Sequence, residues 1–226
     1  MPHYIANKAA VPPSLAGDWD SPEWSAAGTL CVEHFHPRSA SHRPRTCAKM
    51  LWDDDGIYVI FQVEDRYVQC VHTQRNSNVC IDSCVEFFVE PVPGRGYVNF
   101  EINCGGTMLL NYNAQSAAVR FDPVAVDDGR MDTVRIYHSM PPVVDPPIAD
   151  AVTWQVEFFA PYALFEAYVG PVPRGAGTFW RGNFYKCGGD RAYDHWAMWS
   201  EIPGPLGFHR PEFFSPIEFG PAGGHG

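Results

Sequence analysis

The strongest signal along the chain is an alternation of apolar and polar positions with a period of two, which sends successive side chains to opposite faces of a strand. In Ile57–Asp65, the residues Ile57, Val59, Phe61 and Val63 share one face. Asp82–Glu90 sets Val85, Phe87 and Val89 against Cys84, Glu86 and Phe88. Gly96–Asn103 sets Val98, Phe100 and Ile102 against Tyr97, Asn99, Glu101 and Asn103. Thr46–Trp52 pairs with Ile57–Asp65 as a hairpin, because Asp53-Asp54-Asp55-Gly56 between them tolerates the left-handed φ of a tight turn. Further strands are expected at Thr29–His36, Thr107–Tyr112, Met131–Met140, Val152–Ala160, Thr178–Cys187, Trp196–Ser200 and Phe214–Phe219. Pro161–Gly170 reads as one short helix, with proline near its start and glycine at its end. Residues 1–28 read as a lead-in, with 1–16 poorly ordered, and 220–226 as a poorly ordered tail. The polar segments 37–45 and 66–81 read as loops, the second long enough to carry function.

Short strands separated by turn signals predict an all-β, antiparallel β-sandwich of about ten strands, jelly-roll or immunoglobulin-like, with at most one short helix. The 20 glycines and 21 prolines fall between the apolar runs, as many turns require. A chain of 226 residues can bury a full core as one domain over 1–226, and no linker or repeat divides it.

Composition narrows the partners. The formal charge is −10, and no basic cluster exists beyond Arg38–Arg45, so neither nucleic acid nor an anionic membrane is an expected partner. Acidity suits a neutral or cationic ligand. No apolar run reaches the length of a membrane-spanning helix, and no signal peptide is visible at the N-terminus. The expected setting is therefore cytoplasmic, or secreted or periplasmic if the N-terminus has been trimmed. Seven cysteines without regular spacing leave at least one unpaired and predict reduced thiols by default. Oligomeric state is not legible.

The chemistry concentrates on the polar faces of the two best strands. Glu86 on one, with Asn99 and Glu101 on the other, would share a sheet surface if the strands are neighbours. Carboxylates and amides there can accept sugar hydroxyls, while an aromatic side chain stacks on the C–H face of the ring. Trp196 and Trp199 are three apart in an extended segment and point to opposite faces, one into the core and one outward.

Lys49-Met50-Leu51-Trp52-Asp53-Asp54-Asp55-Gly56-Ile57-Tyr58-Val59, the following Val63-Glu64-Asp65, and Asp82-Ser83-Cys84-Val85-Glu86-Phe87-Phe88 together resemble the family 9-like carbohydrate-binding modules. Asn183-Phe184-Tyr185-Lys186-Cys187-Gly188 and Phe208-His209-Arg210-Pro211-Glu212-Phe213-Phe214 resemble a stand-alone bacterial and fungal subgroup. The resemblance runs from about Gly17 to Phe219. It implies non-catalytic carbohydrate binding in which Glu86 bonds sugar hydroxyls and Trp199 stacks on the ring. Asn99 and Glu101 join Glu86 on the sheet face, and Asn183, Tyr185 and Lys186 are further ligand candidates on a neighbouring strand. Two positions depart from the family. A first sandwiching tryptophan would fall six residues before Glu86, where this chain has Cys80, and Glu101 stands where an arginine is frequent.

Other chemistries are weighed beside this one. No cofactor is required; family modules often hold structural calcium, for which Asp53, Asp55 and Asp65, with Asp54, offer hard oxygen ligands. His34, His36, His42, His195 and His209 offer nitrogens for a transition metal. A carbohydrate-active hydrolase or lyase would use Glu86 and Glu101 as acid and base, with Lys186, Cys187 and His209 as further reactive groups. A heme-binding or metal-binding relative of the same sandwich would draw on Met108, Met198 and His195. No P-loop, nucleophile elbow, HExxH or dinucleotide fingerprint is present.

Overall fold

A computed structural model describes residues 1–114, 123–188 and 192–222. Its strands are β1 (Tyr4–Lys8), β2 (Leu30–Cys31), β3 (His34–Phe35), β4 (Arg45–Trp52), β5 (Gly56–Asp65), β6 (Val68–Cys70), β7 (Cys84–Glu90), β8 (Tyr97–Asn103), β9 (Met108–Asn113) and β10 (Pro123–Ala125). They continue as β11 (Arg135–His138), β12 (Val144–Ile148), β13 (Val152–Pro161), β14 (Phe179–Gly188), β15 (His195–Met198) and β16 (Ser215–Ala222). The helices are α1 (Asp128–Met131) and α2 (Tyr162–Val169). The protein is mostly β, as the alternation predicts, and the expected β4–β5 hairpin forms in register from Arg45–Glu64 to Trp52–Ile57.

The architecture differs from an antiparallel sandwich of ten strands. Fourteen strands join one continuous mixed sheet, whose main path runs β10-β9-β8-β7-β14-β16-β1-β4-β5-β13-β11. The joining strand is β1, in the segment expected to be a poorly ordered lead-in. It lies parallel to both β16 and β4, with Tyr4 opposite Ile217 and Lys8 opposite Trp52. Two half-sheets would otherwise meet there with unpaired backbone edges, and β1 satisfies both. Residues 220–222, expected in a poorly ordered tail, belong instead to β16, which extends through Ala222. Residues 223–226 lie outside the described ones. Of the expected strand at Met131–Met140, only Arg135–His138 forms, because Met131 closes α1.

The sheet curls until its two wings face each other. Phe100 of β8 stacks on Phe158 of β13 at 5.2 Å between ring centroids, and Phe61 of β5 meets Phe184 of β14 at 5.9 Å. The main core between the wings takes Val59, Phe61, Val85, Phe87 and Phe100, from the apolar faces read in the alternation, together with Trp154 and Phe184.

Both outer faces are covered as well. Over β5 and β13, the N-terminal segment packs Trp24 and Ala9 on Leu51, Tyr58, Ile60 and Phe159. Over β7, β8 and β14, the segment between β15 and β16 packs Ile202, Phe208 and Phe214 on Phe88, Tyr97 and Tyr185. The polar face of β7 and β8 is therefore an interior surface.

Candidate functional site: an acid-floored cavity

Register decides which predicted residues meet. Across neighbouring strands, Tyr185 of β14 lies opposite Glu86 of β7, and Glu86 lies opposite Glu101 of β8. All three share the outer face, directly side by side. Asn99 is on the same face one step along β8; it donates from Nδ2 to Glu101 Oε1 at 2.8 Å and accepts from Asn113 Nδ2 at 2.6 Å. Asn99 thus orients Glu101 from behind.

The segment 201–214 roofs this row. Phe208 stacks on Tyr185 at 4.2 Å, the Tyr185 hydroxyl donates to Phe208 O at 3.2 Å, and His209 meets Tyr97 OH through Nδ1 at 2.8 Å. Tyr185 is fully buried beneath that roof, so it supports the site and presents nothing to a ligand. Beside it the roof leaves a cavity of about 310 Å³. Glu86 and Glu101 form its floor; Trp196, Leu206 and Phe208 form an apolar wall; Cys80 and Ile81 border it from the turn before β7.

The electrostatics follow from burial. Glu86 is 3 % exposed and Glu101 6 % exposed. Desolvation, then the neighbouring Cys187 and Glu101, push the Glu86 carboxyl well above the usual range. Desolvation also pushes Glu101 up to about 7, opposed by the Asn99 hydrogen bond. The Cys187 thiol donates to Glu86 Oε1 at 2.9 Å and stays protonated, its acidity suppressed by neighbouring Cys84 and by burial. Burial brings His209 down to about 4, so it is a neutral ring.

The other predicted residues lie elsewhere. Trp199, expected to stack on a ligand, is in the main core, edge-on to Tyr4 at 6.5 Å and to Phe184 at 5.8 Å. The parity of the two tryptophans holds, but the outward one is Trp196. Asn183 is buried and spends its amide on the chain: Oδ1 accepts from Ser200 N and Nδ2 donates to Ser200 O, both at 2.8 Å. Lys186 projects from the opposite face of β14. Its Nζ, fully buried, donates to Cys187 O and His195 Nε2 at 2.8 Å and lies 3.5 Å from Asp65 Oδ2. His195 Nδ1 donates to Tyr193 O, which leaves Nε2 as the acceptor for Lys186. Burial and Lys186 hold this ring neutral, with its pKa near 3. Burial opposes ionisation of Asp65, but Lys186 and His42 outweigh it and keep the carboxylate charged.

The calcium candidates do not converge. Asp53 caps its turn, with Oδ1 accepting from Asp55 N and Gly56 N and Oδ2 from Tyr58 OH. Asp55 stays beside it, while Asp65 sits at the far end of β5, about 30 Å away along an extended strand. The histidines are also dispersed: His36 bonds Gly204 O, His42 bonds Asp65, and His209 bonds Tyr97. Met108 and Met198 lie in different apolar clusters. Among the described residues, the one grouping with ligand-like spacing is Cys84, Glu86 and Cys187, all buried, with donor atoms within 4.8 Å of one another. All seven cysteines are free thiols.

Alternation exposed Glu86 and Glu101, but the wall residues Leu206 and Phe208 sit in irregular chain with no periodic signal. Only the tertiary path of 201–214 brings them to the acids.

The family model for Carbohydrate-binding family 9 matches residues 26–219, and the chain belongs to that family. Among solved structures, one from Bacteroides uniformis ATCC 8492, assigned provisionally as a carbohydrate-binding protein, superposes with a TM-score of 0.83 at 24 % identity, covering 96 % of this chain and 98 % of that one. A carbohydrate-binding module of family 9 from Caldicellulosiruptor kristjanssonii in complex with cellotriose superposes at 0.66, with 16 % identity over 97 % of this chain and 94 % of that one. The module from the same organism in complex with glucose gives 0.63 and 16 %, over 96 % and 95 %. No curated protein matches the chain.

Proposed function

We propose that this protein binds a carbohydrate without catalysis, holding a sugar ring or glycan end in the cavity above Glu86 and Glu101. The observation that carries the reading is the placement of Glu86. Within a family defined by carbohydrate binding, the glutamate of the Asp82–Phe88 motif opens onto a cavity with an aromatic wall. A ring lying on Trp196 would turn its hydroxyls to the two carboxyls, which supply acceptors where a sugar supplies donors. The complexes of the Caldicellulosiruptor module with glucose and cellotriose support the ligand class.

Calorimetric titration with glucose and cellotriose tests this. Binding is expected in the native protein, with no product formed on long incubation. Trp196→Ala should weaken it at least about tenfold, roughly 1.4 kcal/mol, while the thermal melt stays nearly unchanged. Trp199→Ala should instead destabilise the fold. No sugar binding, or equal affinity in Trp196→Ala, would overturn the reading.

A further inference from the structure

Among the described residues that line the cavity, the charged groups are carboxyls. Glu86 accepts one hydrogen bond, from the Cys187 thiol, and Glu101 accepts one, from Asn99. The second oxygen of each nearly buried carboxyl has no donor among the described residues. Asp194, half-buried, also lines the cavity, and among the described residues no lysine or arginine does. The neighbouring cation, Lys186, is turned to the other face and engaged by Asp65 and His195. Among the described residues, the remaining titratable groups packed against the acids are Cys84 from β7, Cys187 and Tyr185 from β14, Cys80 from the preceding turn, Tyr97 from β8, and His209 and Glu212 from the roof. None of these is a cation at neutral pH.

We propose that the cavity selects an amino sugar carrying a free ammonium group, which sits against the Glu86–Glu101 edge while the ring lies on Trp196. This rests on the carbohydrate reading of the same cavity. Two adjacent buried carboxyls whose nearest described cation, Lys186, is turned to the other face and engaged by Asp65 are costly to ionise. A ligand ammonium supplies the missing charge and three donors, and a charge-assisted bond is about twice as strong as a neutral one. A hydroxyl at that position gives only the neutral bond. An N-acetyl group gives no charge and adds bulk. The net charge of −10 also concentrates cations near the surface.

The proposal carries a proton signature. Burial holds Glu101 partly protonated up to about pH 7, and a bound ammonium favours its carboxylate. Binding of the amino sugar must therefore release protons below about pH 7, whereas binding of glucose need not.

The test titrates the whole protein with glucosamine, glucose, N-acetylglucosamine and 1,3-diaminopropane at about pH 7.5 and about pH 5.5, in two buffers of different ionisation enthalpy. Glucosamine should bind about tenfold tighter than glucose or N-acetylglucosamine at the higher pH. That advantage should shrink at the lower pH, with proton release read from the buffer difference. Glu101→Gln should abolish the advantage, so that glucosamine and glucose bind the variant alike. If glucose binds and glucosamine binds no better, the inference fails and carbohydrate binding stands. If no sugar binds, both fail. Diamine binding as tight as glucosamine, or an ammonium preference that survives Glu101→Gln, would also overturn the inference. Proton release is measured on the native protein, so the test stands even if the variant does not fold.

Discussion

The two outer faces of the curled sheet are built alike and end differently. Each is covered by a non-strand segment, each cover packs aromatic residues onto the strands, and each buries acid. On the β13 face, Glu157 is 1 % exposed, and both its oxygens are filled: Gly17 N donates at 2.7 Å and Trp24 Nε1 at 3.2 Å. On the β7–β8 face, Glu86 and Glu101 receive one donor each from the described residues and open onto about 310 Å³ of space. A buried carboxyl whose acceptors are all used by the chain is a strut that pins the cover in place. A buried carboxyl with an acceptor left over, facing a cavity, keeps binding capacity for a ligand's donors.

Truncating Trp24 should have the largest effect. Trp24→Ala removes a core aromatic and one of the two donors to Glu157, and should cost about 3–5 kcal/mol in denaturant unfolding. Sugar affinity of the folded fraction should be unchanged. A matching loss of affinity would show that the two faces are coupled and break the comparison.

Next in size is the pH dependence carried by Glu101. Its folded pKa, about 7, lies above the unfolded value. The native state therefore binds the extra proton, and the contribution of Glu101 to stability falls as pH rises from about 4.5 to about 7. The loss is on the order of 3 kcal/mol at about 1.4 kcal/mol per unit. Thermal melts across that range should show a slope that flattens in Glu101→Gln. An unchanged slope would remove Glu101 from the account of the open face.

The smallest effect is a gain. Cys80 borders the cavity from the turn Val79–Ile81. Cys80→Trp should add a second stacking surface and tighten sugar binding severalfold, on the order of 1 kcal/mol. Weaker binding would mean that the cavity has no room for a ring between two aromatics.

Much of the fold was legible because its signals are local. Strands β5, β7 and β8 declare their faces by alternation, and the aspartate-glycine turn closes the β4–β5 hairpin through Asp53 itself. The error at the N-terminus has a physical cause. β1 is five residues long, and its partners lie in β4 and at the far end of the chain. Nothing nearby in the sequence marks it as a strand that closes the sheet. The tryptophans teach the same lesson. Their spacing puts Trp196 and Trp199 on opposite faces, but β1 decides which is core, since Tyr4 packs on Trp199. Tyr185 and Lys186, both ligand candidates on the neighbouring strand, are adjacent in β14 and so face opposite ways.

The sequence by itself determined the class of fold, the core faces and the acid row, because those depend on side-chain alternation and on motifs spanning a few residues. It also carried the family, through motifs in a characteristic order. Only the tertiary structure decided that the sheet is one curled surface, that Trp196 faces the site, and that the segment 201–214 turns the acid row into a cavity. Those features depend on contacts between residues far apart in the chain, such as Phe208 on Tyr185, whose cost is the closure of long loops and whose signal no local pattern records.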